Sequence, residues 1–291
     1  MKYSVAIDIG GTNTRVALAD EELNIIERKQ FATDSENPDV TLGKIAEVIK
    51  SFDIVGAGMS CPGPLDLING KILTPPNLKG QWHNLKVAEE LSKLINKPVY
   101  LENDANLAGL AEAVVGEGKD YNYVQFFTVS TGLGAGFVIN KEIYHGAHGF
   151  GNEVANCVMM KDGPSHGSII PGGIEAISSG TAITSRAVKA GLDVKHAGEV
   201  NDLAKAGNEV AKQIMDDAKE YLANFIGVVY GYADPEIVIL GGSVALKIDG
   251  FVEEVEALAK ERVYEIMKPY VKVRKSTLNE DSGLIGAAYL A

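Results

Sequence analysis

One pattern occurs twice in this chain: a short β-prone apolar run, a glycine-rich turn, and a second β-prone run. In the first copy Tyr3 to Ile9 leads into Gly10-Gly11-Thr12-Asn13 and then Thr14 to Ala19. In the second, Val124 to Val129 leads into Ser130-Thr131-Gly132-Leu133-Gly134-Ala135-Gly136, and Phe137 to Ile139 resumes the strand. Apolar β-formers on both sides of a glycine turn predict a hairpin. Two such hairpins, one in each half, predict duplicated lobes facing each other across a cleft.

The segments around the hairpins predict an α/β fold. Helical periodicity covers Val40 to Ser51, Lys86 to Leu94, the alanine-rich run from Asn103 to about Val115, one or two helices within Asn201 to Tyr232, and Val252 to Met267. Short strands are predicted at Ile54 to Met59, Val99 to Leu101, Glu236 to Leu240 and Val271 to Arg274, and alternation of the two element types is the α/β signature. A last helix spans Gly283 to Leu290, where Gly283 and Gly286 would permit close packing. No low-complexity linker separates the halves, so the boundary rests on pattern. It gives an N-terminal lobe of residues 1–117, completed by the C-terminal helix 280–291, and a C-terminal lobe of residues 118–279.

Charge and cysteine content narrow the function classes. The formal net charge of −12 lacks the clustered Lys and Arg that nucleic acid or anionic lipid requires, so neither is an expected partner. An acidic protein that uses a polyphosphate must hold it with local backbone N–H groups and a metal ion. Only Cys61 and Cys157 occur, without CxxC spacing, which excludes a disulfide framework and fits a reducing, cytoplasmic compartment. The uncharged stretch from Tyr121 to Asn140 is interrupted by Asn122, Gln125, Ser130, Thr131 and three glycines, and so reads as a turn between strands.

The first hairpin places Asp8 at a strand end, then glycines that admit a ligand to the backbone, then the Thr12 and Thr14 hydroxyls: a phosphate and Mg²⁺ cradle. An ordinary hairpin with Asp8 as a turn residue remains open from this element alone. Gly132, Gly134 and Gly136 at alternate positions similarly suit either exposed N–H groups for a polyphosphate or close backbone packing.

Taken together, DIGGTNT, LENDANLAGLAE, STGLGAG and IVILGGS, in this order and spacing, resemble the ROK family of repressors, uncharacterised reading frames and sugar kinases. The resemblance covers essentially the whole chain. It implies a two-lobed actin-like, ribonuclease H-like ATPase fold with a central cleft, and a soluble homodimer. Asp8, Gly10, Gly11, Thr12 and Thr14 would meet the phosphates of ATP, with Asp8 toward Mg²⁺. Thr131, Gly132 and Gly134 would cover them, and Gly241 and Gly242 would lie by the nucleoside. Asp104 matches the general base that takes the proton of the attacking sugar hydroxyl, although an isolated Asn-Asp pair would also serve as a helix cap. The sugar ligands implied are Asn103, Glu153 and Glu175, with Gly63 and Asn77 from loops near the sugar.

The chain departs from the family pattern at the zinc segment. Asn156 replaces the histidine that binds both zinc and sugar, and the Cys-x-Cys-Gly-x-x-Gly-Cys segment is absent. With three thiolates missing, no zinc site is expected, and the loop from Met159 to Gly172 is expected to be held by packing. Similar substitutions occur in zinc-less N-acetylmannosamine kinases, so a hexose and an N-acyl hexosamine are both candidate substrates. The activity implied is ATP-dependent phosphorylation of a sugar hydroxyl; the alternative is a catalytically silent sugar sensor or scaffold of the same fold.

Overall fold

The computed structural model describes residues 2–278 and 281–291, so the expected lobe limits at 279 and 280 fall outside the described residues. The chain divides into two compact units. The first comprises the residues up to Ala111, the segment His145–Gly151 and the C-terminal helix; the second comprises Glu112–Tyr144 and the chain from Asn152 up to the segment that leads into that helix.

The first unit is built from β1 (Tyr3–Ile9), β2 (Asn13–Ala19), β3 (Ile25–Ala32), α1 (Pro38–Ile49), β4 (Ile54–Ser60), the small hairpin β5 (Leu65–Asp66) and β6 (Lys71–Ile72), α2 (Val87–Ile95), β7 (Val99–Glu102) and α3 (Asp104–Val114). Its main sheet has the order β3-β2-β1-β4-β7, antiparallel at β1–β2 and β2–β3, parallel at β1–β4 and β4–β7. Strand alternation sorts β1 between two cores. Val5, Ile7 and Ile9 face Leu42 and Ile45 of α1 and Leu91 of α2, and Ala6 faces the opposite side. Helix α1 starts where Asn37 accepts the Asp39 N–H and Pro38 supplies the first turn. Strand β3 was not anticipated. Its Glu27, Arg28, Lys29 and Gln30 give no apolar signal, and it forms the sheet edge, where charge protects against unwanted pairing.

The second unit contains β8 (Tyr123–Val129), β9 (Leu133–Ile139), β10 (Glu142–Ile143), α4 (Ile174–Ser178), α5 (Gly180–Lys189), α6 (Ala197–Lys205), α7 (Glu209–Ala233), β11 (Ile237–Gly241), α8 (Gly242–Lys247), α9 (Phe251–Lys260) and β12 (Val273–Lys275). Its sheet order, β10-β9-β8-β11-β12, repeats the pattern of the first unit, with two antiparallel and two parallel pairings. The second glycine turn is shorter than its sequence predicts. Gly134 and Gly136 lie inside β9, paired with Thr128 and Phe126, because ladder pairing with β8 overrides their weak strand preference.

Two helical expectations change in detail. The run expected within 201–232 is two helices, broken at Gly207 (φ +91°) and recapped by Asn208, which accepts the Ala211 N–H. The run expected to reach Met267 leaves the helix after Lys260, and a 3₁₀ segment, Glu265–Tyr270, follows. At the break the Arg262 guanidinium bonds Asn224 and Glu220 of α7, and Gly227 makes room for Arg262, since a Cβ there would lie 2.7 Å from that of Arg262.

The last helix, α10 (Ser282–Leu290), returns to the first unit. Leu284, Ala287 and Ala288 pack with Ala6, Ala17, Ala19 and Leu107. Small residues face one another here and let backbones approach: a Cβ on Gly286 would lie 1.9 Å from the Leu107 carbonyl oxygen, and one on Gly58 would lie 2.1 Å from that of Ala287. Gly283 has open space around it, so the close-packing expectation holds at Gly286 alone. Among the described residues no helix is long and apolar enough to cross a membrane.

Candidate functional site

Three parallel strands of the first unit end in one row. Register pairs Asp8 of β1 with Ser60 of β4, and Ser60 with Glu102 of β7. The carboxyl ends of parallel strands are where α/β folds accept ligands, because the chain leaves the sheet there in loops free to carry function. Asp8 accepts from the Arg15 guanidinium at 2.6 and 3.0 Å on Oδ2 and from the Ser60 hydroxyl at 2.9 Å on Oδ1. Arg15 sits directly opposite Asp8 in the hairpin register, a cross-strand pairing that the sequence holds but that sequence reasoning passed over.

Asn103 and Asp104 follow at the start of α3. The Asn103 Oδ1 accepts the N–H groups of Ala105 at 2.8 Å and Asn106 at 3.3 Å, so Asn103 is the helix cap and its amide nitrogen is left for other partners. Asp104 accepts from Ala105 N–H through Oδ1 and is solvent-accessible. The protein packed around it raises its carboxyl above the ordinary range, the Ala105 bond opposes this, and the Asp8 charge adds to the rise.

The remaining residues of the first hairpin divide by face. Thr12 is exposed, whereas Thr14 is fully buried and its hydroxyl pairs with that of Thr33 at 2.8 Å. The Thr14 hydroxyl therefore lies in the core of the first unit, and a phosphate role expected of this residue would fall to its backbone. Gly10 closes the turn by donating to the Asn13 carbonyl at 2.9 Å, and a Cβ on Gly11 would lie 2.6 Å from the Cβ of Asn77. Here the glycine admits the Asn77 loop. Asn77 itself is exposed, as is Gly63 in the loop after β4.

In the second unit Glu175, in the first turn of α4, accepts the Leu133 N–H at 2.8 Å, and a Cβ on Gly132 would lie 2.8 Å from the Glu175 Oε2. Gly241 ends β11 and Gly242, with φ +83°, begins α8 against the Val129 backbone. Glu153 and Asn156 are exposed. Asn156 Oδ1 accepts the Ile170 N–H at 2.8 Å. The loop from Met159 to Gly172 is held by such bonds, with Met159 N–H to Gly172 carbonyl and Gly172 N–H to Pro164 carbonyl both 2.8 Å, together with Met159 packed against the core of the second unit, while Ile170 is half exposed. Among the described residues no group of three or more His, Cys, Asp or Glu is placed to hold a metal ion.

A cavity of about 550 Å³ opens beside the second glycine turn, lined by Thr131, Thr181, Lys195, Asn201, Ser243 and Lys247 among others. Thr181 donates to the Thr131 carbonyl at 2.5 Å, and Gly180 N–H donates to that of Ser130 at 2.7 Å, which fixes the N-terminal end of α5 against the turn. Sequence reasoning found Thr131 but missed the α5, Lys195 and Lys247 walls. These residues come from three separated segments with no shared motif, and only the fold collects them.

The ROK family model matches residues 4–291. The glucokinase of Thermotoga maritima is 31% identical, covering 98% of this chain and 95% of its own. The N-acetylmannosamine kinase of Citrobacter koseri is 32% identical, covering 99% and 98%. The crystal structure of a ROK hexokinase from Thermus thermophilus superposes with a TM-score of 0.89 at 28% identity, covering 99% of this chain and 97% of that one. The repeated five-stranded sheets, the two glycine hairpins and these near-complete matches together establish that the chain belongs to the ROK family and has the actin-like ATPase fold of its sugar kinases.

Proposed function

We propose that this carbohydrate kinase transfers the γ-phosphoryl group of ATP to a hydroxyl of a hexose or an N-acyl hexosamine, with Asp104 as general base. The observation that carries the reading is the state of Asp104. Asn103 caps the helix, Asp104 is solvent-accessible, and its raised carboxyl is better matched to accepting a proton near neutrality than an ordinary one. The base takes the hydroxyl proton as the sugar oxygen attacks phosphorus and the bond to the ADP leaving oxygen breaks. A positioned base contributes about 10²- to 10⁴-fold, and most of the remaining acceleration comes from alignment and charge stabilisation.

The cavity of about 550 Å³ suits a nucleoside by volume, and its walls supply hydroxyls, an amide and two lysines. Thr131, Gly132 and Gly134 are assigned to the phosphates of ATP and Gly241 and Gly242 to its nucleoside, and in the first unit Asp8, Gly10, Gly11 and Thr12 are assigned to the phosphates. The donor set fits Mg²⁺, which is held by one or two carboxylates together with water and substrate phosphates; Asp8 is such a carboxylate, and Asp104 lies close enough to feel its charge. When bound, Mg²⁺ neutralises charge on the transferring phosphates. Asn103, Glu153, Asn156, Glu175, Gly63 and Asn77 are assigned to the sugar. Relatives named glucokinase and N-acetylmannosamine kinase match at nearly equal identity, which keeps both substrate classes in the proposal.

The test is ADP release from Mg²⁺-ATP over glucose, fructose, mannose, allose, N-acetylglucosamine, N-acetylmannosamine and β-glucosides, run beside Asp104→Asn. A sugar-dependent rate that collapses in the variant supports the reading and names the substrate. Silence with every sugar despite ATP binding would overturn it in favour of a sensor or scaffold.

A further inference from the structure

Glu102 ends the row begun by Asp8 and Ser60, and the Asn103–Asp104 turn departs from it. It is 2% exposed, and a carboxylate removed from water is tolerated only where donors replace its hydration. Three do so. Asn103 N–H and the Asn106 side-chain amide each donate to Oε1 at 2.8 Å, and His145 Nε2 donates to Oε2 at 2.6 Å.

Asn106 shows how firmly the surroundings are committed to this carboxylate. Its Oδ1 is a buried acceptor without a hydrogen-bond partner among the described residues. Reversing the amide would bring that oxygen against a Glu102 oxygen, so the orientation is set by the need to donate. His145 arrives from 43 residues further along the chain, in a loop closed by the Gly151 N–H donating to the His145 carbonyl at 2.8 Å. Its side chain is 42% exposed, so it meets an otherwise buried network from the solvent side. The bond to Glu102 holds a proton on the ring and raises the His145 pKa against the opposing effect of burial.

We propose that His145 is a positioning residue for phosphoryl transfer: its hydrogen bond fixes the Glu102 carboxylate, which holds the Asn103 backbone and thereby sets the direction in which Asp104 is presented. The inference rests on the reading of Asp104 as the base. Without the His145 donor, Oε2 of Glu102 turns toward water, and the bond from Oε1 to the Asn103 N–H changes with it. Geometry at the reacting atoms is unforgiving, with a displacement of about 1 Å costing on the order of 10²-fold.

The experiment compares His145→Ala, His145→Gln and Asp104→Asn by steady-state kinetics with the best sugar of the panel, together with the amide proton shift of Asn103 by NMR. The alanine variant is expected to lose about ten- to hundredfold in kcat with the KM for ATP changed less than about twofold. Glutamine, which keeps an N–H donor, is expected to restore most of kcat, and the Asn103 amide is expected to move in the alanine protein and return in the glutamine one. A wild-type kcat and an unmoved Asn103 amide in His145→Ala, in the same assay that finds Asp104→Asn inactive, would overturn the proposal alone. Equal losses in the alanine and glutamine variants, with the Asn103 amide unmoved, would also overturn it. A wild-type rate in Asp104→Asn would remove the base reading on which the inference stands.

Discussion

At the scale of single residues, Asp104 carries the sharpest expectations. Asp104→Asn should lower kcat by at least about 10²-fold with the fold intact, checked by steady-state rates beside circular dichroism. The base must be ionised to act, so the rate falls as pH drops through its pKa. Because the protein packed around the carboxyl raises that pKa and the Asp8 charge raises it further, the acid limb of kcat/KM should lie above the ordinary carboxylate range. Asp8→Asn removes the like charge and should move the limb to lower pH in whatever activity remains; an unmoved limb would show that the two carboxylates are not coupled. While the role proposed for Asp104 came from the family resemblance, the helix cap at Asn103 was legible in the sequence because the Asn-Asp pair opens a helix. Glu102, one residue earlier, was not, since its importance comes from strand register and from a histidine 43 residues away. The placement of Thr14 is a point that the sequence reading passed over. Its hydroxyl drew it into the phosphate set, while its parity with Val16 and Leu18 along the strand already pointed it into the core.

At the scale of elements, two contacts should respond strongly to small changes. Gly286→Ala would drive a methyl against the Leu107 carbonyl, and the shift of α10 needed to accommodate it should cost about 1–3 kcal/mol, read from chemical denaturation. Lys141 stands in the β9–β10 turn, where it and Asn140 have positive φ, and its ammonium donates to the carbonyls of Ala113, Lys119 and Tyr121 at 2.6–2.8 Å. Lys141→Met leaves those acceptors, including one in the last turn of α3, without this donor and should destabilise by about 1–3 kcal/mol. A variant as stable as the parent would show that water replaces the lysine without loss. Strands β1, β2, β4, β8 and β11 were legible because apolar β-formers fill them. Strand β3 was not, because an edge strand is written in charges, and α9 was overextended because the signal for its end is a tertiary contact of Arg262.

At the scale of the whole molecule, the duplication was readable from two hairpins of like composition, and the equal strand orders of the two sheets are its physical content. The cavity beside the second hairpin lies wholly in the second unit, which gives a molecular prediction. Adding a nonhydrolysable ATP analogue without sugar should slow hydrogen exchange in α5 and around Lys195 to Asn201, and leave β3 unchanged. Saturation at about 100 Kd should add about 2.7 kcal/mol to the stability of the unit that binds it. Protection confined to other segments would relocate the nucleotide. The return of α10 to the first unit also orders events during synthesis. The strands that bear Asp8, Ser60 and Glu102 leave the ribosome before the second unit is made, and the helix that covers Ala6 and Ala17 leaves after it. At roughly 5–20 residues per second, the first unit waits many seconds with one side of its sheet uncovered while the second unit is made. A polypeptide released early would lack the cover for the sheet that carries the candidate base, so premature termination should yield unstable fragments rather than a partly working enzyme.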